Sequence, residues 1–192
     1  MSANSLYAIV LAAGQASRFG STKQLARFDN EPLVARAIRS AERICGQRSL
    51  LVSGNDWENV AAACEPLAGF MIYNPRYRDG MATSLAQGIQ SIRNVADGVL
   101  LMLADQPLVN DEHLQALAGA WLASPDSICA SCYANTQGPP VIFPAKFFAE
   151  LVELQGDRGA KAVIDANSDQ VISISFENAA IDIDTPADLR NI

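Results

Sequence analysis

Short apolar runs alternate along this chain with amphipathic stretches of helical length. The runs are YAIVLAA (7–13), SLLVS (49–53), FMIY (70–73), GVLLMLA (98–104), SICASCY (127–133) and VISISF (171–176), all typical of strands. Apolar residues recur at helical spacing between them, in 32–44, 57–64, 84–95 and 111–123. The alternation predicts an α/β fold: a three-layer, doubly wound, mostly parallel sheet with helices on both faces.

The alternation of strand and helix patterns changes after Tyr133. NTQGPPVIFP places a Gly-Pro-Pro turn before a further short strand, which predicts a small hairpin excursion from the parallel sheet. Ligands of such sheets bind beyond the carboxyl ends of the strands, so functional residues are expected where the strands end.

Composition and charge narrow the class of protein. With 192 residues and 49% hydrophobic content, one globular domain over 1–192 is expected. Fourteen basic against twenty-one acidic residues leave a net charge of -7, which argues against a nucleic-acid partner. The N-terminal stretch lacks a basic flank and an apolar run long enough to cross a bilayer, so a cytoplasmic location and no membrane partner are expected.

The four cysteines predict neither a disulfide framework nor a metal site. CASC (129–132) matches C-x-x-C, but in a strand Cys129 and Cys132 would face opposite sides of the sheet. A tetrahedral zinc site would need further ligands, and the chain has one histidine and no second paired cysteine motif. Buried packing is the favoured interpretation, with metal or redox use as the alternative.

The first strand is followed by a small, basic segment. Between Gly14 and Phe28 the chain carries Arg18, Lys23 and Arg27 and no acid, a local charge of +3 in an acidic protein. Glycines and alanines let the backbone turn tightly and direct N–H groups at a ligand, so the segment predicts a phosphate-binding loop. A plain strand-to-helix connection with solvated basic side chains is the alternative.

Two well-known phosphate loops are excluded by spacing. A P-loop would need Gly-Lys-Ser/Thr beginning at Phe19, and a dinucleotide-binding G-x-G-x-x-G would need glycine at Ala16. The absence of the second motif also disfavours an NAD-dependent oxidoreductase.

Two acidic sites lie at other strand ends. Asp105 directly follows the apolar strand at 98–104, where a buried carboxylate needs a partner, although a capped turn could also explain it. Near the C-terminus, Asp182 and Asp184 alternate along an extended segment, before a helix start with Thr185 as its cap. Magnesium is commonly held by one or two carboxylates together with phosphate oxygens, so Asp105 and Asp184 are candidate ligands of Mg2+.

These segments together resemble the MobA-like nucleotidyltransferases, in particular the molybdenum-cofactor cytidylyltransferases. LAAGQASRFGSTKQL matches the family's L-A-A-G-x-x-x-R-x-G-x-x-K motif, LADQP and DIDTPADL resemble its two acidic motifs, and NPRYRDGMATSLAQGI resembles its G-M-x-x-S-L segment. GPPVIFPAKFFAELVELQGDRGAKAVI resembles a fifth, second-substrate region. The resemblance implies a fold of the nucleotide-diphospho-sugar transferase type.

The resemblance also implies roles for individual residues. Arg18, Lys23 and Asp105 would be catalytic, and Asp105 and Asp184 would hold Mg2+, with Asp182 beside them. Nucleotide contacts are implied for Ala12, Ala13, Gly14, Arg18, Lys23, Gly80, Met81, Ser84 and Asp105, the helix from Thr83 presenting its N-terminal amides. Contacts with the second substrate are implied for Gly138, Pro140, Phe143, Gly156, Asp157 and Gly159, although 156–159 also suits a turn between helices.

The implied reaction transfers CMP from CTP to the terminal phosphate of molybdopterin and releases pyrophosphate, for delivery to a client molybdoenzyme. Three alternatives stay open: GTP or another triphosphate as donor, a different phosphorylated acceptor, and a non-catalytic cofactor carrier. The single histidine, His113, is expected to be a solvated helical residue, because no nucleophile lies near it in the sequence.

Overall fold

A seven-stranded sheet runs through the part of the chain that the computed structural model describes, residues 4–14, 19–65 and 70–192. Its strands, in chain order, are β1 (Leu6–Ala12), β4 (Ser49–Ser53), β5 (Phe70–Tyr73), β6 (Gly98–Leu103), β7 (Ile128–Tyr133), β8 (Thr136–Pro144) and β9 (Val171–Ser175). The spatial order is β5-β4-β1-β6-β8-β7-β9. Neighbours pair in parallel except β8, which is antiparallel to both β6 and β7.

Helices cover both faces of this sheet. They are α1 (Leu33–Cys45), α2 (Trp57–Ala63), α3 (Met81–Ile92), α4 (Asp111–Ala123), α5 (Phe148–Glu153) and α6 (Lys161–Ala166). Alternate residues of β1 point to opposite faces, so Ala8 and Val10 pack in a core with α1, α2 and α4. Ile9 and Leu11 pack in a second core with α3, α5 and α6. The predicted three-layer, mostly parallel α/β fold is confirmed.

The hairpin differs in detail from its prediction. The turn is formed by Ala134 and Asn135, with left-handed φ values of 46° and 59°, and not by Gly-Pro-Pro. Gly138-Pro139-Pro140 lies within β8, where the pairing with β7 shifts register between Ala130 and Ser131. A bulge suits this position because proline has no N–H to donate to the ladder.

His113 is buried, so the expectation of a solvated histidine is wrong. Asn110 caps α4, its Oδ1 accepting from the His113 N–H at 2.9 Å. The His113 ring stacks on Phe176 with centroids 4.2 Å apart, and its Nε2 lies 2.7 Å from Ser131 Oγ. Burial against β7 and Phe176 lowers the pKa of His113 to about 4, so its imidazole is neutral at pH 7.

Three smaller findings complete the fold. A two-stranded antiparallel ribbon, β2 (Arg27–Phe28) and β3 (Glu31–Pro32), leads into α1. Cys129 is fully buried in the core beside α4, and burial raises the pKa of its thiol to about 11. No helix in the described ranges combines the length and the apolar character needed to span a membrane.

Candidate active site

A cleft of about 620 Å³ opens where β1 and β6 end. The carboxyl ends of adjacent parallel strands meet at one edge of a sheet, and here they bring Gly14 and Asp105 to the same cavity. Its lining consists of Leu11, Ala13, Gly14, Lys23, Gln24, Leu33, Tyr77, Arg78, Gly80, Met81, Ser84, Leu103, Ala104, Asp105, Asp157 and Asp184.

Lys23 joins the two predicted acidic sites. Its Nζ lies 2.7 Å from Asp105 Oδ2 and 2.9 Å from Asp184 Oδ1. The Lys23 side chain is 13% exposed, whereas that of Asp184 is 59% exposed and accessible from the cleft. The two carboxylates predicted to act together therefore do converge, and the ammonium group lies between them.

Backbone contacts hold each aspartate in place. The carbonyl of Asp105 accepts from the Ile183 N–H at 2.9 Å, which ties the turn after β6 to the C-terminal segment. Asp188 Oδ2 accepts from the N–H groups of Asp184 and Thr185 and from the Thr185 hydroxyl. These bonds lower the pKa of Asp188 and fix the turn that carries Asp184. The predicted helix after Thr185 is reduced to one 3-10 turn, Asp188–Arg190.

The charges of this cluster are mutually dependent. Burial by itself would lower the pKa of Lys23, but the adjacent charges of Asp105 and Asp184 outweigh it, and the pKa is raised. Lys23 is therefore an ammonium ion at any physiological pH. Desolvation and the negative charges of Asp105 and Asp184 raise the pKa of Asp182 to about 6. A concentration of negative charge of this kind is suited to a cation.

The opposite wall of the cleft is built on glycine. Gly80, with φ of 106°, lies so close to Gly156 that a Cβ on Gly80 would overlap the Gly156 carbonyl. That carbonyl accepts from the Ala82 N–H at 3.1 Å. α3 therefore begins at Met81, two residues before the predicted start, and its first turn faces the cleft with Met81 and Ser84.

Gln24 connects the lysine segment to the end of the first strand. Its Nε2 donates to the Gly14 carbonyl at 2.9 Å, and the residue is 5% exposed at the edge of the cleft. Its Oε1 has no hydrogen-bond partner among the described residues. The bond turns the Gly14 carbonyl toward Gln24.

Some predicted site residues lie at the cleft and others do not. Ala13, Gly14, Lys23, Gly80, Met81, Ser84, Asp105, Asp157 and Asp184 line it. Ala12 is buried at the end of β1, Gly156 lies against Gly80, and Gly159 lies against the Met81 side chain. Arg18 lies outside the described residues.

The β8 residues expected to meet a second substrate lie elsewhere. Phe143 is fully buried in the core that contains α5 and α6. Pro140 is buried, and its carbonyl accepts from Ser131 Oγ. Gly138 allows Tyr133 to pack across β8, because a Cβ there would overlap the Tyr133 hydroxyl. These three residues take structural positions in the strand that is antiparallel to its neighbours, and they do not line the cleft.

The predicted set lacked seven lining residues, of which Leu11, Leu103 and Ala104 belong to the ends of β1 and β6. Gln24 and Leu33 follow Lys23 in sequence, and Tyr77 and Arg78 precede Gly80. The basic Arg78 within NPRYRDGM was a usable signal, since it stands two residues before a predicted nucleotide contact. Leu33 carried no signal, because an apolar residue at a helix start is ordinary.

The comparisons with known proteins agree with this geometry. A strand-end cleft with a glycine-rich wall, a lysine and two convergent aspartates is typical of nucleotide-binding α/β enzymes. The model of the MobA-like NTP transferase domain matches residues 8–171, and the chain belongs to this family. It is a nucleotidyltransferase of the MobA-like type, which confirms the family that the motifs indicated.

Relatives match along nearly the whole chain. Purine catabolism protein PucB of Bacillus subtilis (strain 168) is 25% identical, with 94% of this chain and 92% of PucB covered. A probable molybdenum cofactor guanylyltransferase of Nostoc sp. (strain PCC 7120 / SAG 25.82 / UTEX 2576) is 27% identical over 98% of this chain and 91% of its own.

Solved structures are similar in fold and include a metal complex. The crystal structure of Rv0371c from Mycobacterium tuberculosis H37Rv has a TM-score of 0.84 and 27% identity, covering 100% of this chain and 98% of its own. The same protein in complex with manganese has a TM-score of 0.79 and 26% identity, covering 99% and 98%.

Proposed function

We propose that this protein is a Mg2+-dependent nucleotidyltransferase that moves CMP from CTP to the terminal phosphate of molybdopterin and releases pyrophosphate. The observation that carries the proposal is the contact of Lys23 with both Asp105 and Asp184 in a cleft that begins at Ala13 and Gly14. One cation and two carboxylates, contributed by three distant segments, meet near the end of β1, after which the sequence predicts a phosphate-binding loop.

The donor set fits magnesium. Asp105 Oδ1 is buried and has no hydrogen-bond partner among the described residues, which is costly unless a cation or donor satisfies it. Carboxylate oxygens are the ligands that Mg2+ prefers. Asp105 and Asp184 would hold the ion, with Asp182 beside them. When bound, the metal would neutralise the phosphate charge that grows in the transition state.

The protein's own residues have little covalent work in such a transfer. An oxygen of the acceptor phosphate forms a bond to the α-phosphorus of CTP, and the bond from that phosphorus to the bridging oxygen breaks, which leaves the electron pair on pyrophosphate. No general base is needed, because a phosphate oxygen is already anionic. Lys23 and Arg18 would bind the triphosphate, and the amides at the first turn of α3 would act as fixed dipoles.

One relative supports a molybdenum-cofactor substrate. The Nostoc relative is named as a probable molybdenum cofactor guanylyltransferase, and it matches this chain almost end to end. CTP is proposed as the donor because the motifs quoted above resemble those of the cytidylyltransferases in particular. Delivery of the product to a client molybdoenzyme belongs to the same proposal, as do a single domain over 1–192 and a cytoplasmic location.

The test is pyrophosphate release with each of CTP, GTP, ATP and UTP, in the presence and absence of molybdopterin. The proposal expects release with CTP only when molybdopterin and Mg2+ are both present, and loss of release after chelation with EDTA. Asp105→Asn should abolish the metal-dependent rate while the circular dichroism spectrum stays unchanged. Release with GTP alone would contradict the assignment of the base. Tight nucleotide binding without release under any condition would favour a carrier.

A further inference from the structure

Two arginines flank Tyr77, and their surroundings differ. Arg76 forms an ion pair with Asp79, with Nε 3.0 Å from Asp79 Oδ2, and it lies on the outer side of this segment. Arg78 lines the active-site cleft, and among the described residues it has no acidic partner. The one acidic residue beside it in sequence is thus already paired with its neighbour.

The backbone that carries Arg78 is held firmly against the sheet. Tyr77 packs on Gly54, where a Cβ would overlap the tyrosine side chain, and its hydroxyl lies 3.4 Å from Asn55 Oδ1. The Arg78 guanidinium carbon lies 5.5 Å from the centroid of the Tyr77 ring, within cation–π range. The guanidinium therefore stacks on an aromatic ring at the cleft, and its N–H groups are available to a ligand there.

The charges of the cleft favour an anion at this wall. Of the described residues that line it, Lys23 and Arg78 are basic, and Asp105, Asp157 and Asp184 are acidic. The charge of Lys23 is already offset by two carboxylates. The charge of Arg78 is not offset in the same way, and the planar guanidinium matches phosphate oxygens in a bidentate arrangement.

We propose that Arg78 is a substrate-binding residue that donates to the phosphate oxygens of one of the two substrates. The bound phosphate belongs either to the nucleoside triphosphate or to the acceptor. The second possibility rests on the proposed function, because that function supplies the phosphorylated acceptor. It adds a cation to the wall opposite Lys23, so that negative phosphate groups are held from both sides.

The experiment compares Arg78→Gln and Arg78→Lys with Arg93→Gln. Arg93 is exposed at the far end of α3 and does not line the cleft, and its replacement by glutamine removes the same charge. Calorimetric titration with Mg·CTP and with inorganic pyrophosphate measures anion binding without any turnover. Steady-state kinetics with molybdopterin give the KM of the acceptor.

In Arg78→Gln, the loss of a charge-assisted contact should weaken the binding of one substrate by about 10- to 100-fold. Weaker binding of Mg·CTP and pyrophosphate would identify the triphosphate, and a raised acceptor KM with unchanged Mg·CTP binding would identify the acceptor. Arg78→Lys should recover part of the loss, and Arg93→Gln should stay within about twofold of the wild type. Unchanged binding and KM in Arg78→Gln, or an equal loss in Arg93→Gln, would overturn the inference. An Arg78 effect on binding in a protein that never releases pyrophosphate would leave this inference standing and refute the proposed transfer.

Discussion

Replacement of His113 by glutamine should make the protein more resistant to mild acid. In the folded chain His113 is 5% exposed, stacked on Phe176 and bonded to Ser131. Ser131 Oγ donates to the Pro140 carbonyl at 2.6 Å, so it is an acceptor for Nε2–H of the neutral imidazole. Glutamine can make the same donation and does not titrate.

The magnitude follows from the two pKa values. The pKa of His113 is about 4 in the folded state, against an ordinary value of 6.5 in the unfolded chain. Between these values the unfolded chain binds the proton and the folded one does not, so stability falls as the pH falls from 6.5 toward 4. At about 1.4 kcal/mol for each pH unit of difference, the full loss is about 3 kcal/mol.

The assay is urea unfolding followed by tryptophan fluorescence at intervals from pH 7.5 to 4.5, for the wild type and His113→Gln. The quantity to compare is the difference between their free energies of unfolding at each pH. Asp182 acts in the opposite direction, because its pKa is raised to about 6 and its protonation favours the folded state. It contributes equally to both proteins, so the difference isolates the histidine.

We expect the variant to gain on the wild type by at least about 2 kcal/mol between pH 7 and pH 4.5, the part of the window that the assay covers. A difference that stays constant over this range would refute the reasoning. It would mean that His113 is protonated inside the fold, or that the ring is exposed to solvent.

Three further outcomes are expected. Lys23→Met should lower turnover by about 10² to 10³-fold, yet should strengthen Mn2+ binding in the absence of nucleotide, because the ammonium no longer competes for the two carboxylates; weaker Mn2+ binding would contradict the contact geometry. Gln24→Met should raise the KM for CTP by about tenfold through loss of the bond that orients the first loop glycine, whereas Gln87→Met, which breaks a similar bond to a backbone carbonyl outside the cleft, should not. Gly80→Ala should lower the free energy of unfolding, measured in urea, by about 1–3 kcal/mol, because the new Cβ overlaps the Gly156 carbonyl at a residue with positive φ. An unchanged midpoint would show that the backbone around Gly156 can move to accept the Cβ.

Much of the secondary structure and several candidate site residues could be inferred from the sequence, because the sequence signals for them act between neighbouring residues. The period of apolar residues predicted the strands and helices. The small residues after β1 predict a phosphate-binding loop, and Gly14 at its start lines the cleft. Asp105 was found because a charge directly after a buried strand is costly. The cap of α4 by Asn110 is a local feature of the same kind, since capping acts within one helical turn.

Other features were decided only by tertiary packing. Lys23 and Asp184 are 161 residues apart, and no short-range rule places the ammonium between the carboxylates. The burial of His113 depends on Phe176, which arrives from another strand end. Phe143 is a core residue because β8 runs between β6 and β7, and Arg78 reaches the cleft because Tyr77 packs on Gly54. Periodicity and turn chemistry act over a few residues, whereas contacts between distant segments exist only after the sheet has brought the strand ends together.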